Sequence, residues 1–346
     1  MLTAERASMT ETGLLKTVSE LVAPGQGILA VDESVATISK RFAALGIDST
    51  PESRRAYRET LLMCPGIGEF ISGAILYDET LRQTTSDGVP FPIAMRAAGV
   101  MCGIKVDTGA KQLAGCPSET VTDGLDGLRE RIAEYVELGA RFAKWRAVIQ
   151  VDARLPSRTA LAVNAHALGR YAALCQEGGL VPIVEPEVLM DGDHDMHRCE
   201  EVTTETLRLV FNELVEQGVA LEGIVLKPNM VVAGKRCRRQ PSVDEVAEST
   251  LRCLRRSVPA AVAGVAFLSG GQSAALATDH LNAINSRGPQ PWRVTFSYGR
   301  ALQDPCLAAW GGDPANVSAA QAALLRRAAC NAAASRGTYS AAMEAR

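Results

Sequence analysis

Only seven of the chain's 36 basic side chains are lysine, leaving 29 arginines. Both types carry charge, but only lysine readily yields a neutral amine, so each retained lysine invites a chemical reading. Lys227 follows the apolar run Gly223-Ile224-Val225-Leu226 and precedes Pro228. Desolvation at the end of an apolar strand favours the neutral amine, and so does a neighbouring cation, for which Lys144 is the candidate. A neutral amine attacks a ketone to form a Schiff base, and the resulting iminium draws electrons from a C–C bond beta to it. Such a reaction needs carboxylates to move protons, and Asp32, Glu185 and Glu187 can supply them. For Lys227 taken alone, an ordinary ion pair with a glutamate is the competing reading.

A second group of residues suits anions. Ser269-Gly270-Gly271 and Ser297-Tyr298-Gly299-Arg300 place glycines, hydroxyls and an arginine at the ends of two apolar runs. Glycine lets backbone N–H groups approach a phosphate, and arginine forks onto its oxygens. Lys40 and Arg41, with Lys105 and Arg146, form a looser set that suits a second anion.

These residues need a scaffold that brings them together. The chain repeats one unit: a short apolar strand, a polar or glycine-bearing turn, then a stretch of helical period. Strands are expected at 27–31, 70–77, 103–106, 141–145, 180–184, 223–226, 263–268 and 293–296. Helices are expected at 52–62, 127–138, 159–176, 203–217 and 243–256, the first capped by Thr50 with Pro51 at its first position. Eight strands alternating with helices predict an α/β fold, a (β/α)₈ TIM barrel, whose active site lies at the C-terminal ends of the strands. In that fold Ser269–Gly271 and Gly299-Arg300 occupy the phosphate corner after strands seven and eight. No linker divides the chain, so residues 1–346 are expected to form one barrel domain with a short N-terminal extension and a C-terminal helical tail.

An open doubly wound sheet is the alternative. Gly25-Gln26-Gly27-Ile28-Leu29-Ala30 resembles a dinucleotide fingerprint, but its glycines precede the strand instead of following it, which makes them a turn. The composition, 47% hydrophobic and 22% charged with a net charge of −3, is that of an ordinary globular protein and argues against a basic nucleic-acid binder. The uncharged stretch 257–278 is interrupted by Pro259 and by Ser269–Ser273, so it reads as a buried strand and turn, not a membrane span. The start of the chain lacks a signal-peptide pattern, and the nine cysteines show no CxxC spacing; reduced thiols in a cytoplasm are expected. Asp191–Asp195 lacks the glycine and glutamate of a calcium loop and reads as an acidic turn capping the next helix. The four histidines offer no zinc-ligand set. Lys235–Arg239 is a basic run isolated in an acidic chain and reads as a solvated loop.

Six blocks in order give a resemblance from about residue 25 to 339: Gly27–Ala30 with Asp32-Glu33-Ser34, Phe142–Arg146, Val181–Glu187, Leu226–Met230, Phe267–Ser273 and Phe296–Leu302. The chain resembles the class I fructose-1,6-bisphosphate aldolases. That resemblance implies reversible cleavage of the bisphosphate to dihydroxyacetone phosphate and glyceraldehyde 3-phosphate, in glycolysis and gluconeogenesis. It further implies no metal or cofactor, a homotetramer, a cytoplasmic location and sugar-phosphate partners, with neither nucleic acid nor membrane.

Carried over by motif, Lys227 forms the Schiff base, Glu185 is the acid–base of carbinolamine dehydration and Asp32 takes the C4 hydroxyl proton. Lys144 and Glu187 tune the charge around the amine. Ser269, Gly270, Gly271, Ser297, Gly299 and Arg300 hold the C1 phosphate, and Thr37, Lys40, Arg41, Lys105 and Arg146 serve the distal one. Two departures stand out. Ala36-Thr37 replaces the Gly-Ser of many members. Animal members also close with a tail tyrosine that assists proton exchange on the enamine; this chain stops at Ala345-Arg346, so another acid or water is expected there. The rivals are a Schiff-base aldolase or transaldolase acting on a monophosphate, opposed by the second cation set, and a scaffold without turnover, opposed by the intact set Asp32, Lys144, Glu185 and Lys227.

Overall fold

The computed structural model describes residues 2–345. Ten strands form: β1 (Gly27–Val31), β2 (Ile71–Leu76), β3 (Met101–Lys105), β4 (Gly109–Gln112), β5 (Thr120–Asp123), β6 (Phe142–Ile149), β7 (Val181–Val188), β8 (Val225–Leu226), β9 (Gly264–Phe267) and β10 (Arg293–Tyr298). Eight of them close a barrel in the order β1-β10-β9-β8-β7-β6-β3-β2, every pairing parallel. These eight correspond to the eight strands expected from sequence, and helices lie between them. The antiparallel ribbon β4–β5 was not expected: 109–123 is short, largely exposed and rich in Gly and Thr, without an apolar run to mark it.

The barrel interior is ordered by the two-residue period of a strand, which sends alternate side chains to the same face. Ile28, Ala30, Ile75, Phe142, Val181, Ile183, Val225 and Ala266 form one buried apolar cluster. Continuing by twos toward the C-terminal ends, Ala30 leads to Asp32, Phe142 to Lys144, Ile183 to Glu185 and Val225 to Lys227. These four inward rows are therefore apolar low in the barrel and charged at its mouth, while those of Ile75 and Ala266 end in Tyr77 and Leu268.

The opposite end is stoppered. The expected N-terminal extension is a helix, Leu2–Leu21, and its Leu14, Val18 and Leu21, together with Val22, join the interior cluster. Room for them comes from glycine. A Cβ at Gly103 would lie 2.2 Å from the Phe142 ring, one at Gly73 2.8 Å from Leu21, and one at Gly264 2.6 Å from Val22. The helix Pro51–Leu62 starts with Thr50 and Ser53 in a reciprocal capping box, and Asp195 caps Met196–Glu216, as the acidic turn implied. The C-terminal part is helical, Val317–Ser335 followed by a short turn at Ala341–Ala345. Among the described residues no helix is long and apolar enough to cross a membrane, and none of the nine cysteines is in a disulfide.

The plug predicts a steep penalty at Gly103. Replacing it with Ala forces Phe142 out of its place and should destabilise the fold by about 1–3 kcal/mol, the usual range for overpacking. Urea unfolding reads this as a lowered midpoint; an unchanged midpoint would mean Phe142 has room to move.

Candidate active site

At the mouth of the barrel, a cavity of about 490 Å³ is lined by residues from nearly every strand end. Four ionisable groups form a chain across its floor. Lys144 Nζ lies 2.6 Å from Asp32 Oδ2 and 3.4 Å from Glu185 Oε2, while Glu185 Oε1 lies 3.1 Å from Lys227 Nζ. The side chains of Lys144, Glu185 and Lys227 are no more than 5% exposed. Nearby, Arg146 pairs with Glu187 and Lys105 with Asp107. Four cations thus face four anions, which is how so many charges remain buried without a net field.

The arrangement around Lys227 differs from the expectation. Its nearest charged neighbour is Glu185, which stands between it and Lys144, because β7 lies between β6 and β8 in the sheet. Burial by itself would raise the pKa of Asp32, but the ammonium groups of Lys144, Lys227 and Lys105 outweigh it and hold Asp32 at about 2. Glu185 shows the same balance: burial pushes it up, and Lys227, Lys144 and Arg146 bring it below the usual carboxylate range. For Lys144, burial works against the charged form, but Asp32, Glu185 and Asp107 prevail and keep it firmly protonated. Glu185 Oε2 is buried and faces the Lys144 ammonium at 3.4 Å, a longer contact than that of Oε1 with Lys227.

Most of the expected phosphate residues also reach the cavity: Ser269, Ser297, Gly299 and Arg300 on one side, and Thr37, Arg41, Lys105 and Arg146 on the other. Ser297 Oγ is buried and, among the described residues, has no hydrogen-bond partner. Gly270 and Gly271 follow Ser269 with φ of 57° and 84°, a turn that only glycine adopts freely, just ahead of the helix Ala274–Asn285. Arg300 opens the helix Arg300–Trp310 and, among the described residues, pairs with no carboxylate.

Two residues of the looser set behave differently. Lys40 does not line the cavity. Its helix, Val35–Ala43, buries Ile38 and Phe42, and position 40 lies about 200° around the axis from position 38, facing solvent. Arg41 does reach the wall, but its guanidinium is already held by Glu33, Gln303 and Asp304.

Sequence reasoning assigned no role to three contributors. Asp107 accepts from Lys105 at 2.6 Å and from the Gly109 and Arg146 N–H groups. Its two-residue spacing from Lys105 was the available signal. Gln303 donates to Glu33 Oε1 at 2.7 Å and to the Ala30 carbonyl, and Glu33 also pairs with Arg58. Nothing local marks Gln303, which is 270 residues from Glu33. Tyr77, at the end of β2, lines the cavity as well.

A family model described as fructose-bisphosphate aldolase class-I matches residues 13–346. The chain belongs to that family. It is 56% identical over 327 residues to the probable fructose-bisphosphate aldolase class 1 of Xanthomonas campestris pv. campestris, covering 94% of this chain and 98% of that protein. It is 50% identical to the cytosolic fructose-bisphosphate aldolase 4 of Arabidopsis thaliana, covering 94% and 83%. Among solved structures, fructose-bisphosphate aldolase from Plasmodium falciparum, in a complex with TRAP and a small-molecule inhibitor, superposes with a TM-score of 0.94 at 47% identity over 96% of each chain. The chain is thus a class I fructose-1,6-bisphosphate aldolase, a lyase that makes and breaks a C–C bond through a lysine Schiff base.

The electrostatics of the floor give a direct test. Because the folded protein holds Asp32 at about 2, its stabilising effect is complete above the ordinary value of 3.8 and fades only as pH falls toward 2. An NMR titration of the Asp32 carboxyl carbon should therefore show no protonation between pH 7 and 4. A midpoint above 4 would mean that the lysines do not control it.

Proposed function

We propose that Lys227 is the Schiff-base lysine and that the chain Asp32–Lys144–Glu185–Lys227 divides the proton transfers of the aldol cleavage. The single observation that carries this is the position of Glu185, within 3.1 Å of one ammonium and 3.4 Å of the other. Glu185 takes a proton from Lys227, the freed amine attacks C2 of the ketose, and the same carboxyl returns a proton to the departing hydroxyl as the carbinolamine loses water. Asp32, ionised and across the floor, accepts the C4 hydroxyl proton. The C3–C4 electron pair then moves into the iminium, leaving an enamine on Lys227 and releasing glyceraldehyde 3-phosphate. Protonation at C3 and hydrolysis release dihydroxyacetone phosphate. Lys144 stays charged throughout and keeps Asp32 ionised, and Glu187, paired with Arg146, sets the charge at the rim.

Ser269, Gly270, Gly271, Ser297, Gly299 and Arg300 receive the C1 phosphate. Thr37, Lys105 and Arg146 serve the distal phosphate, which competes with Asp107 and Glu187 for the two cations; Lys40 and Arg41 act on its approach. The whole chain, 1–346, works as one domain. By its family resemblance it assembles as a cytoplasmic homotetramer, which light scattering coupled to size exclusion would read as four times the chain mass.

Borohydride reduction with fructose 1,6-bisphosphate should leave one covalent adduct, on Lys227, and none in Lys227→Met. Asp32→Asn should still be trapped while its cleavage rate falls by about 10²–10⁴-fold, the usual worth of a positioned acid–base. Adduct formation on another lysine, or loss of activity to a chelator, would overturn the assignment.

A further inference from the structure

The basic run Lys235–Arg239 reads as a solvated loop, and for most of its length the structure agrees: Arg236 and Arg238 are exposed, and Arg239 reaches Glu245 at the surface. Lys235 is different. A Cβ placed on Gly271 would lie 2.8 Å from Lys235 Nζ and 3.1 Å from Arg300 Nη2. The two cationic nitrogens therefore approach Gly271 from the same side, close enough to each other for a single phosphate to bridge them.

The backbone that carries Lys235 is firmly placed. Gly234 N–H donates to the His194 carbonyl, Lys235 N–H to that of Met190 and Arg236 N–H to that of Gly192, each at 2.8 Å. Gly234 has to be glycine, since a Cβ there would sit 2.5 Å from the Gly192 carbonyl oxygen. The loop is thus laced to the turn after β7, and that turn in turn reaches the third loop, since a Cβ on Gly270 would lie 3.5 Å from Met190 Sδ. Lys235 Nζ itself rests on Asp191 Oδ1 at 3.0 Å, in a pair whose side chains are 43% and 66% exposed. An exposed single ion pair of this kind is weak and exchanges readily for a better anion.

We propose that Lys235 is a third side of the C1-phosphate cradle, closing over the ester from the loop after β8 while Arg300 and the Gly270-Gly271 backbone hold it from below. Asp191 is its resting partner: it keeps the ammonium extended beside Gly271 and gives it up when the dianion arrives. This rests on the reading that the Ser269–Gly271 and Arg300 corner takes the substrate phosphate, and it adds a binding residue that none of the six family-like blocks contains. Lysine suits the task because its flexible stem follows a phosphate that moves as C2 changes from ketone to iminium.

The test compares Lys235→Gln, Asp191→Asn and, as a control for general charge, Arg238→Gln. Affinity for inorganic phosphate is read by ³¹P NMR titration, which needs no turnover, alongside steady-state kinetics with fructose 1,6-bisphosphate. Lys235→Gln is expected to weaken phosphate binding roughly 5–20-fold, the loss of one charge-assisted contact, and to raise KM by more than it lowers kcat. Asp191→Asn, which frees Lys235, is expected to tighten phosphate binding about twofold or more. Wild-type phosphate affinity in Lys235→Gln, or an equal loss in Arg238→Gln, would overturn the proposal. Because the NMR readout is independent of catalysis, failure of borohydride trapping at Lys227 would strike the proposed mechanism and leave the Lys235 result to stand or fall separately.

Discussion

The contact of Lys144 with both Asp32 and Glu185 is the constraint on which the rest of the site depends. A buried ammonium is costly, and so are two buried carboxylates; together they are tolerated because each screens the others. Removing one partner of such a pair typically costs about 3–5 kcal/mol, since the remaining charge is left uncompensated in a poor solvent. The arrangement does more than persist. It keeps Asp32 ionised at the floor of the cavity and leaves Glu185 with one oxygen on Lys227 and the other on Lys144. Structural neutrality and chemical readiness come from the same four residues.

A barrel can hold this array because its interior is graded. Low in the barrel, Phe142, Leu21 and Val22 fill the space left by inward-facing glycines, and helix Leu2–Leu21 closes that end. Water is excluded from beneath, so charges on the next layer interact through side chains more than through solvent. At the mouth the loops relax the constraint: among the described residues Arg300 pairs with no carboxylate and Ser297 Oγ has no hydrogen-bond partner, and Lys235 sits in an exposed pair. The floor is closed and balanced while the phosphate side of the rim is open and cationic.

Much of this could be read from the chain before any coordinates. The eight strands announced themselves as apolar runs ended by turns, and the charged residues closing them pointed to one mouth. What escaped notice shares a physical cause. The ribbon Gly109–Gln112 and Thr120–Asp123 lacks a buried face, and Gln303 meets Glu33 only because the last barrel strand returns beside the first. Lys40 and Arg41 look alike as neighbours in sequence, yet the helix that buries Ile38 and Phe42 turns one to solvent and the other to the wall.

The residue types thus determined the chemistry by themselves: a lysine where arginine could not serve, carboxylates to move protons, and glycine turns for phosphate. Local periodicity determined the barrel that would gather them. Tertiary structure decided the pairings. That Glu185 and not Lys144 lies against Lys227, that Arg41 is tied to Glu33 and Asp304, and that Lys235 and Arg300 both come close to Gly271 all depend on strand order and loop packing. Electrostatic energy varies with distances of an ångström or two between residues far apart in sequence, and only the closed barrel sets those distances.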